Sequence, residues 1–219
     1  MNVHFKGTRG SLPTSLTSSE VTDKVVSALL AARGKDLRSE GQIRDFVKNT
    51  LKFRTRSSWG GNTSCVHVDT GSSDYLVFDG GSGLRPFGKE ITERGVSGLT
   101  FHIFLSHLHY DHIQGIPFFT PAYFPSNKII FHGGHKDIEK FLRRQMQEPF
   151  FPISFDTLGA NISFEEHSPG DIVEVCDSKI TLFKQNHPGD SYGYRVESNN
   201  RCVVYSTDCE HKNDAHTKS

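Results

Sequence analysis

The chain has 219 residues and carries 25 Lys and Arg against 25 Asp and Glu, so its formal net charge is zero. That length supports a single domain with a sizeable core, and the charge balance argues against a whole-surface field for nucleic acid while leaving a local basic patch open. No apolar run approaches the roughly 18 residues of a membrane helix. The opening "MNVHFKGTRGS" has no apolar signal core, and Cys65, Cys176, Cys202 and Cys209 show no CxxC spacing. Reduced, mostly buried thiols in a cytoplasmic protein are therefore expected.

In chain order, "VHFKGTRGSLPTS" reads as a short strand ending in a turn. Residues 17 to 51 then read as a helical hairpin inserted between two pieces of sheet. "TSSE" and "SEGQ" both have capping-box spacing, and Val21, Val25 and Leu29, then Ile43, Phe46, Val47 and Leu51, follow at helical intervals. The insertion is either ornamental or a lid or oligomer contact that limits substrate size. From residue 64 the period becomes two. "SCVHVD", "YLVFD", "TFHIFLS", "KIIFH", "SKITLFKQ", "YGYRVES" and "RCVVYS" are short and rich in β-branched and aromatic residues, with turn signals between them. A helix is expected from about Lys136 to Gln147, followed by an irregular segment, "EPFFPISF". Strands outnumber helices, which suggests sheets covered by helices.

The stretch "SHLHYDHIQG" places His107, His109, Asp111 and His112 within six positions at the end of a strand. In an extended chain His107 and His109 point the same way. Imidazole and carboxylate together suit zinc, iron or manganese. Four such groups exceed the three protein ligands of a single catalytic zinc and point to two metals about 3.5–4 Å apart. A solvated polar loop is the bland alternative, and bland loops seldom reach this density of ligand types.

"HLHYDH" is an HxHxDH motif, and the chain resembles the metallo-β-lactamase-fold superfamily. "GTRGS", "GGNTSC", "FDGGSGLR", "HPGDSYGYR" and "VVYSTDCEH" occur in the order found in the branch that contains ribonuclease Z, the phosphonate-pathway cyclic phosphodiesterase and cyclic-nucleotide phosphodiesterase-like hydrolases. The resemblance implies an α/β chain folded as an αββα sandwich, a single domain over 1–219 with the 17–51 insertion and a shortened C-terminal part. By the same resemblance His107, His109 and His187 bind a first metal, Asp111 and His112 a second, and Asp208 bridges both. His187 and Asp208 each follow an expected strand, as strand-end ligands should, although His187 alone would read as a surface histidine. Asp111 and Asp79 are the expected catalytic carboxylates; Asp79 resembles a group that orients a ligand histidine, with an ordinary turn aspartate as the alternative. The glycines of "GGSG" let backbone approach the site. Asn62, Thr63 and Ser64 either line the pocket or make local turn hydrogen bonds.

Ordinary roles are expected for His4, His67, His102, His132, His135 and His167, for Tyr194 in packing, and for Cys209 as a small buried residue. Arg195 could meet a phosphate or pair with Glu197. Relatives carry a further histidine well after the bridging aspartate, whereas this sequence ends eleven residues past Asp208. The expectation is either a fragment or an abnormal end, with His211 and His216 as the only later histidines.

The implied activity is hydrolysis of a phosphodiester, a cyclic nucleotide or small cyclic phosphate, by metal-activated hydroxide. Two divalent ions, zinc first with manganese or iron open, are the expected cofactors. Transfer-RNA 3′ processing, thioester or lactone hydrolysis, and a non-catalytic metal-binding scaffold are the alternatives. A small phosphodiester is the favoured partner over nucleic acid, a homodimer is left open, and no membrane is expected.

Overall fold

The structure is a computed structural model that describes residues 1–210. His211 and His216 lie outside the described residues. The described residues fold as two compact units, one of 1–12 with 62–210 and one of Pro13–Gly61.

The smaller unit contains α1 (Ser18–Ala32), α2 (Glu40–Asp45), a π-helical continuation over Phe46–Thr50, and α3 (Phe53–Arg56). Both expected capping boxes form. The Glu20 carboxylate accepts from Thr17 N at 2.8 Å while Thr17 Oγ1 accepts from Glu20 N. Ser39 and Gln42 repeat the exchange at the start of α2. Each exchange satisfies two backbone donors that a helix start would leave unpaired. α1 buries none of its residues, and Val21, Val25 and Leu29 are exposed.

The larger unit holds two sheets. The first runs in the order β1 (Asn2–Gly7), β2 (Cys65–Asp69), β3 (Tyr75–Phe78), β4 (Thr100–Leu105), β5 (Lys128–Gly133) and β6 (Asn161–Glu166). β1 to β3 pair antiparallel, and β3 to β6 pair parallel. The second is antiparallel, ordered β10 (Arg201–Tyr205), β9 (Ser191–Ser198), β8 (Ser178–Gln185) and β7 (Ile172–Val175). The alternation of side chains gives the first sheet two apolar faces. Val77, Phe101, Ile103, Leu105, Ile129 and Phe131 pack under α4 (Leu84–Thr92), α5 (Tyr110–Ile113) and α6 (Ile138–Gln145). Leu76, Phe78 and Phe104 face Ile180, Leu182, Tyr194 and Val196 of the second sheet. Helix, sheet and sheet layers thus stack around two cores, as the αββα expectation requires for three of its four layers.

Among the elements not anticipated are α4, β6 and β7. α4 contains Pro86 and Gly88, both breaker signals, yet Pro86 sits in the first turn, where its missing N–H is not needed. Gly88 is required there because a Cβ would lie 2.7 Å from the Phe119 ring. β6 is a polar edge strand, and β7 is only four residues long. The helix expected at Lys136–Gln147 forms over Ile138–Gln145, and "EPFFPISF" is irregular apart from the beginning of a short 3-10 turn at Phe155.

The cysteine expectation is corrected in part. Cys65 and Cys176 are buried, but Cys202 and Cys209 are exposed, and all four are free thiols. Cys202 lies on β10, which is at the sheet edge, and Cys209 follows the strand in a loop. Among the described residues no helix is long and apolar enough to cross a membrane.

Candidate metal centre

Strand ends deliver the candidate ligands. His107 and His109 follow β4, and the chain turns at once into α5, which carries Asp111 and His112. His187 follows β8, and Asp208 follows β10. Four hydrogen bonds hold these ends together. Tyr192 N donates to Ser106 O at 2.9 Å, and the Tyr194 hydroxyl donates to Leu105 O at 2.6 Å, tying β9 to the end of β4. Glu210 N donates to Asn186 O at 2.6 Å, and Asn186 Nδ2 donates to Glu210 O at 2.8 Å, which draws the Asp208 loop onto the His187 loop.

Two groups of potential ligand atoms result. His107, His109, His187 and Asp208 form one, and Asp111, His112 and Asp208 form the other, each within 4.8 Å. Asp208 belongs to both. Its Oδ2 lies 3.9 Å from His107 Nε2, 3.9 Å from His187 Nε2 and 3.7 Å from His112 Nε2. His187 Nε2 is 3.2 Å from His109 Nδ1, and His112 Nε2 is 3.5 Å from Asp111 Oδ2. Ligand atoms around one tetrahedral zinc at ~2.0–2.1 Å sit about 3.3 Å apart, so the spacing suits shared ions.

The protonation pattern fits as well. His112 Nδ1 donates to Asp79 Oδ2 at 2.7 Å. The Ser106 hydroxyl donates to the same Oδ2 at 2.9 Å and lies 3.0 Å from His107 Nδ1, whose N–H it can accept. Both imidazoles are thereby held with the proton on Nδ1 and a lone pair on Nε2. Those two Nε2 atoms are buried and have no hydrogen-bond partner. Buried polar atoms are rarely left so, and a cation beside each would remove the anomaly.

Burial first, and then the neighbouring His112, pushes His107 down to about 4, so its ring is neutral near pH 7. Burial also disfavours charge on His112, but Asp79, Asp111 and Asp208 outweigh it and the net shift is upward. The surroundings of His112 Nε2 thus favour positive charge there.

Asp79 is fully buried. It also accepts from Ser106 N at 2.7 Å and from the Tyr205 hydroxyl at 2.5 Å. This geometry places its carboxylate behind His112, and behind His107 through Ser106. Asp111 is held at its Oδ2 by Ser11 N at 2.7 Å. Gly81 explains the tight turn beside the site, since a Cβ there would lie 2.3 Å from Asp111 O and 2.6 Å from Ser64 O.

Asn62 and Thr63 bond across to the loop after β3, not within their own turn. Thr63 and Ser82 exchange two hydrogen bonds, and the Ser82 hydroxyl donates to Asn62 Oδ1. Arg195 pairs with Glu197, and Tyr194 is fully buried in the core. Sequence reasoning missed Ser106, Tyr205 and Ser11. Ser106 immediately precedes the motif and could have been found by asking what fixes the ligand tautomers; Tyr205 and Ser11 carry no local signal.

A family model described as "Beta-lactamase superfamily domain" matches residues 74–218. The chain is 27% identical over 147 residues to ribonuclease Z of Haloarcula marismortui, covering 64% of this chain and 43% of that protein. It therefore spans less than half the length of this curated relative. The metallo-β-lactamase-fold protein YhfI of Bacillus subtilis superposes with a TM-score of 0.52 at 21% identity, over 71% of this chain and 58% of the other. The short form of human tRNase Z superposes with a TM-score of 0.54 at 16% identity, over 95% and 70%. These two likenesses bear on the fold, whereas the family match covers most of the sequence and includes every candidate ligand. By that match the chain belongs to the beta-lactamase superfamily.

Proposed function

We propose that this chain is the metal-binding part of a binuclear hydrolase that cleaves phosphodiesters. The observation that carries the reading is Asp208, shared by two groups of ligand atoms at distances suited to coordination. His107, His109, His187 and Asp208 would hold one ion, and Asp111, His112 and Asp208 the other. Zinc suits this histidine-rich set best, with manganese or iron as alternatives. Bound divalent ions supply Lewis acidity to a phosphoryl oxygen and bring the pKa of water toward neutrality.

The chain's own residues prepare that chemistry. Asp79, directly and through Ser106, keeps the His112 and His107 lone pairs turned inward. Ser11 N–H fixes Asp111. His109 is exposed and Asp208 partly so, which leaves the centre open on one side to an ester.

A small cyclic phosphodiester is the first substrate reading, because zero net charge provides little general attraction for a polyanion. The name ribonuclease Z borne by the curated relative favours a second, an RNA phosphodiester, which the motif resemblance narrows to transfer-RNA 3′ processing. The test is a panel run on metal-loaded full-length protein: bis-p-nitrophenyl phosphate, cyclic nucleotides, precursor transfer RNA and a thioester. Phosphodiester turnover that disappears in Asp208→Ala is expected. Turnover of the thioester alone would overturn the phosphodiester reading. Two bound metals with no turnover of any kind would leave a metal-binding scaffold.

A further inference from the structure

Three histidines outside the centre described above form a continuous row. His102 on β4 and His132 on β5 share the face of the first sheet that carries Phe104, as the alternation of side chains dictates. Phe104 and His132 are register partners across β4 and β5, and their rings stack at 4.2 Å. Glu165 on β6 is the register partner of His132, and His167 follows two residues later. His102 Nδ1 lies 3.0 Å from His132 Nε2. His132 Nδ1 lies 3.0 Å from His167 Nε2 and 3.3 Å from Glu165 Oε2. His167 Nε2 lies 3.9 Å from Glu165 Oε2.

We propose that His132, His167 and Glu165 form a separate site for one divalent transition-metal ion, zinc foremost. The three potential ligand atoms are His132 Nδ1, His167 Nε2 and Glu165 Oε2, and they lie within 4.8 Å of one another. Their separations match those expected around a single ion, and two imidazoles with one carboxylate are a common zinc donor set that leaves a fourth position for water. No residue is shared with the first centre.

The support behind the ligands is already in place. A ligating histidine needs its second ring nitrogen fixed by an acceptor. His132 Nε2 can donate to His102 Nδ1, which leaves the lone pair of His132 Nδ1 directed at His167 and Glu165. The stacked Phe104 ring and complete burial set the plane of His132. Burial, then the neighbouring His102 and His167, pushes His132 down to about 3, so the ring is neutral near pH 7. The other two ligands lie at the sheet edge. Glu165 is half exposed and His167 slightly so, which gives an ion a way in without opening the core. The Glu165 carboxylate would offset half of a divalent charge.

The test uses full-length protein with the first centre disabled by His109→Ala and Asp208→Ala, so that it reads this site whatever becomes of the first. After saturation with zinc and gel filtration, elemental analysis should find one ion per chain. Adding Glu165→Gln and His167→Gln should remove it. Both positions lie toward the sheet edge, and circular dichroism checks that the variants remain folded. Cobalt in place of zinc gives a second readout, a visible spectrum of four-coordinate cobalt that His167→Gln alone should abolish. No ion in the first double variant, or an ion that persists in the quadruple one, would overturn the proposal and leave the row a metal-free hydrogen-bonded ladder.

Discussion

Asp79→Asn separates a positioning carboxylate from a merely structural one. Three donors converge on Asp79 Oδ2: His112 Nδ1 at 2.7 Å, the Ser106 hydroxyl at 2.9 Å and the Tyr205 hydroxyl at 2.5 Å. Oδ1 accepts from Ser106 N at 2.7 Å. An asparagine must keep its oxygen at Oδ1, because turning the amide would set N–H against the Ser106 N–H in a dry interior, at a cost of about 1–3 kcal/mol. Its NH2 then replaces the acceptor that His112 faces. The two hydroxyls can rotate to accept, but His112 Nδ1 can accept only if its proton moves to Nε2. That shift occupies the lone pair aimed at Asp111 and Asp208. Loss of such an orienting partner weakens metal binding about 10- to 100-fold, or about 1.4–2.8 kcal/mol. Zinc titration against a competing chelator measures this, and nitrogen NMR of the imidazoles reports the tautomer. Tyr205→Phe is the control: it removes one hydrogen bond, leaves the carboxylate in place, and should change affinity by much less. Unchanged zinc affinity in Asp79→Asn, with His112 still protonated on Nδ1, would refute the reasoning.

Asp208→Ala should lower the zinc content of the first centre from two ions per chain toward none, whereas His112→Ala should leave one; elemental analysis separates the two outcomes. Burial first, then His4, pushes His67 down to about 4 from 6.5. The unfolded chain therefore binds the extra proton first, and stability present above pH 6.5 is lost as pH falls toward 4, by at most about 1.4 kcal/mol per unit for this group; urea melts of metal-stripped protein should show a shallower slope in His67→Phe. Gly81→Ala places a methyl against two backbone oxygens and should cost at least ~1–3 kcal/mol, lowering Tm by several degrees, while Gly10→Ala, with nothing within 4 Å, should be nearly silent. Thr8 N and Arg9 N both donate to Asn62 O at 2.9 Å, so residues on either side of the 13–61 unit are already joined. Replacing that unit with a short Gly-Ser linker should leave the larger unit folded and able to bind metal, as circular dichroism and zinc content would report.

The strands that carry the candidate ligands are readable in the sequence because each turns one face wholly or partly to the core and therefore alternates. β4, β8, β9 and β10 match "TFHIFLS", "SKITLFKQ", "YGYRVES" and "RCVVYS" within a residue or two. β6 was not readable, since as an edge strand it carries Asn161, Ser163, Glu165 and Glu166 and buries little. α4 was hidden by Pro86 and Gly88. Proline signals a break only when its position in the helix is unknown, and Gly88 is demanded by Phe119, which is 31 residues away in sequence.

The candidate centre divides in the same way. His107, His109, Asp111 and His112 are legible because a strand end and the helix start after it keep ligand spacing inside one short segment. His187 and Asp208 could be placed only through family resemblance, since a lone histidine or aspartate after a strand has no signature of its own. The groups that orient the ligands were harder still. Ser106 and Tyr205 look like ordinary strand-end residues until Asp79 is seen to gather them, and Asp79 comes from a neighbouring strand. Hydrogen bonds that fix a tautomer act across strands, so their sequence separation is set by topology and not by chemistry. The row of His102, His132 and His167 follows the same rule. Each histidine looks unremarkable in or just after its own strand, and only the parallel pairing of β4, β5 and β6 sets one beside the next.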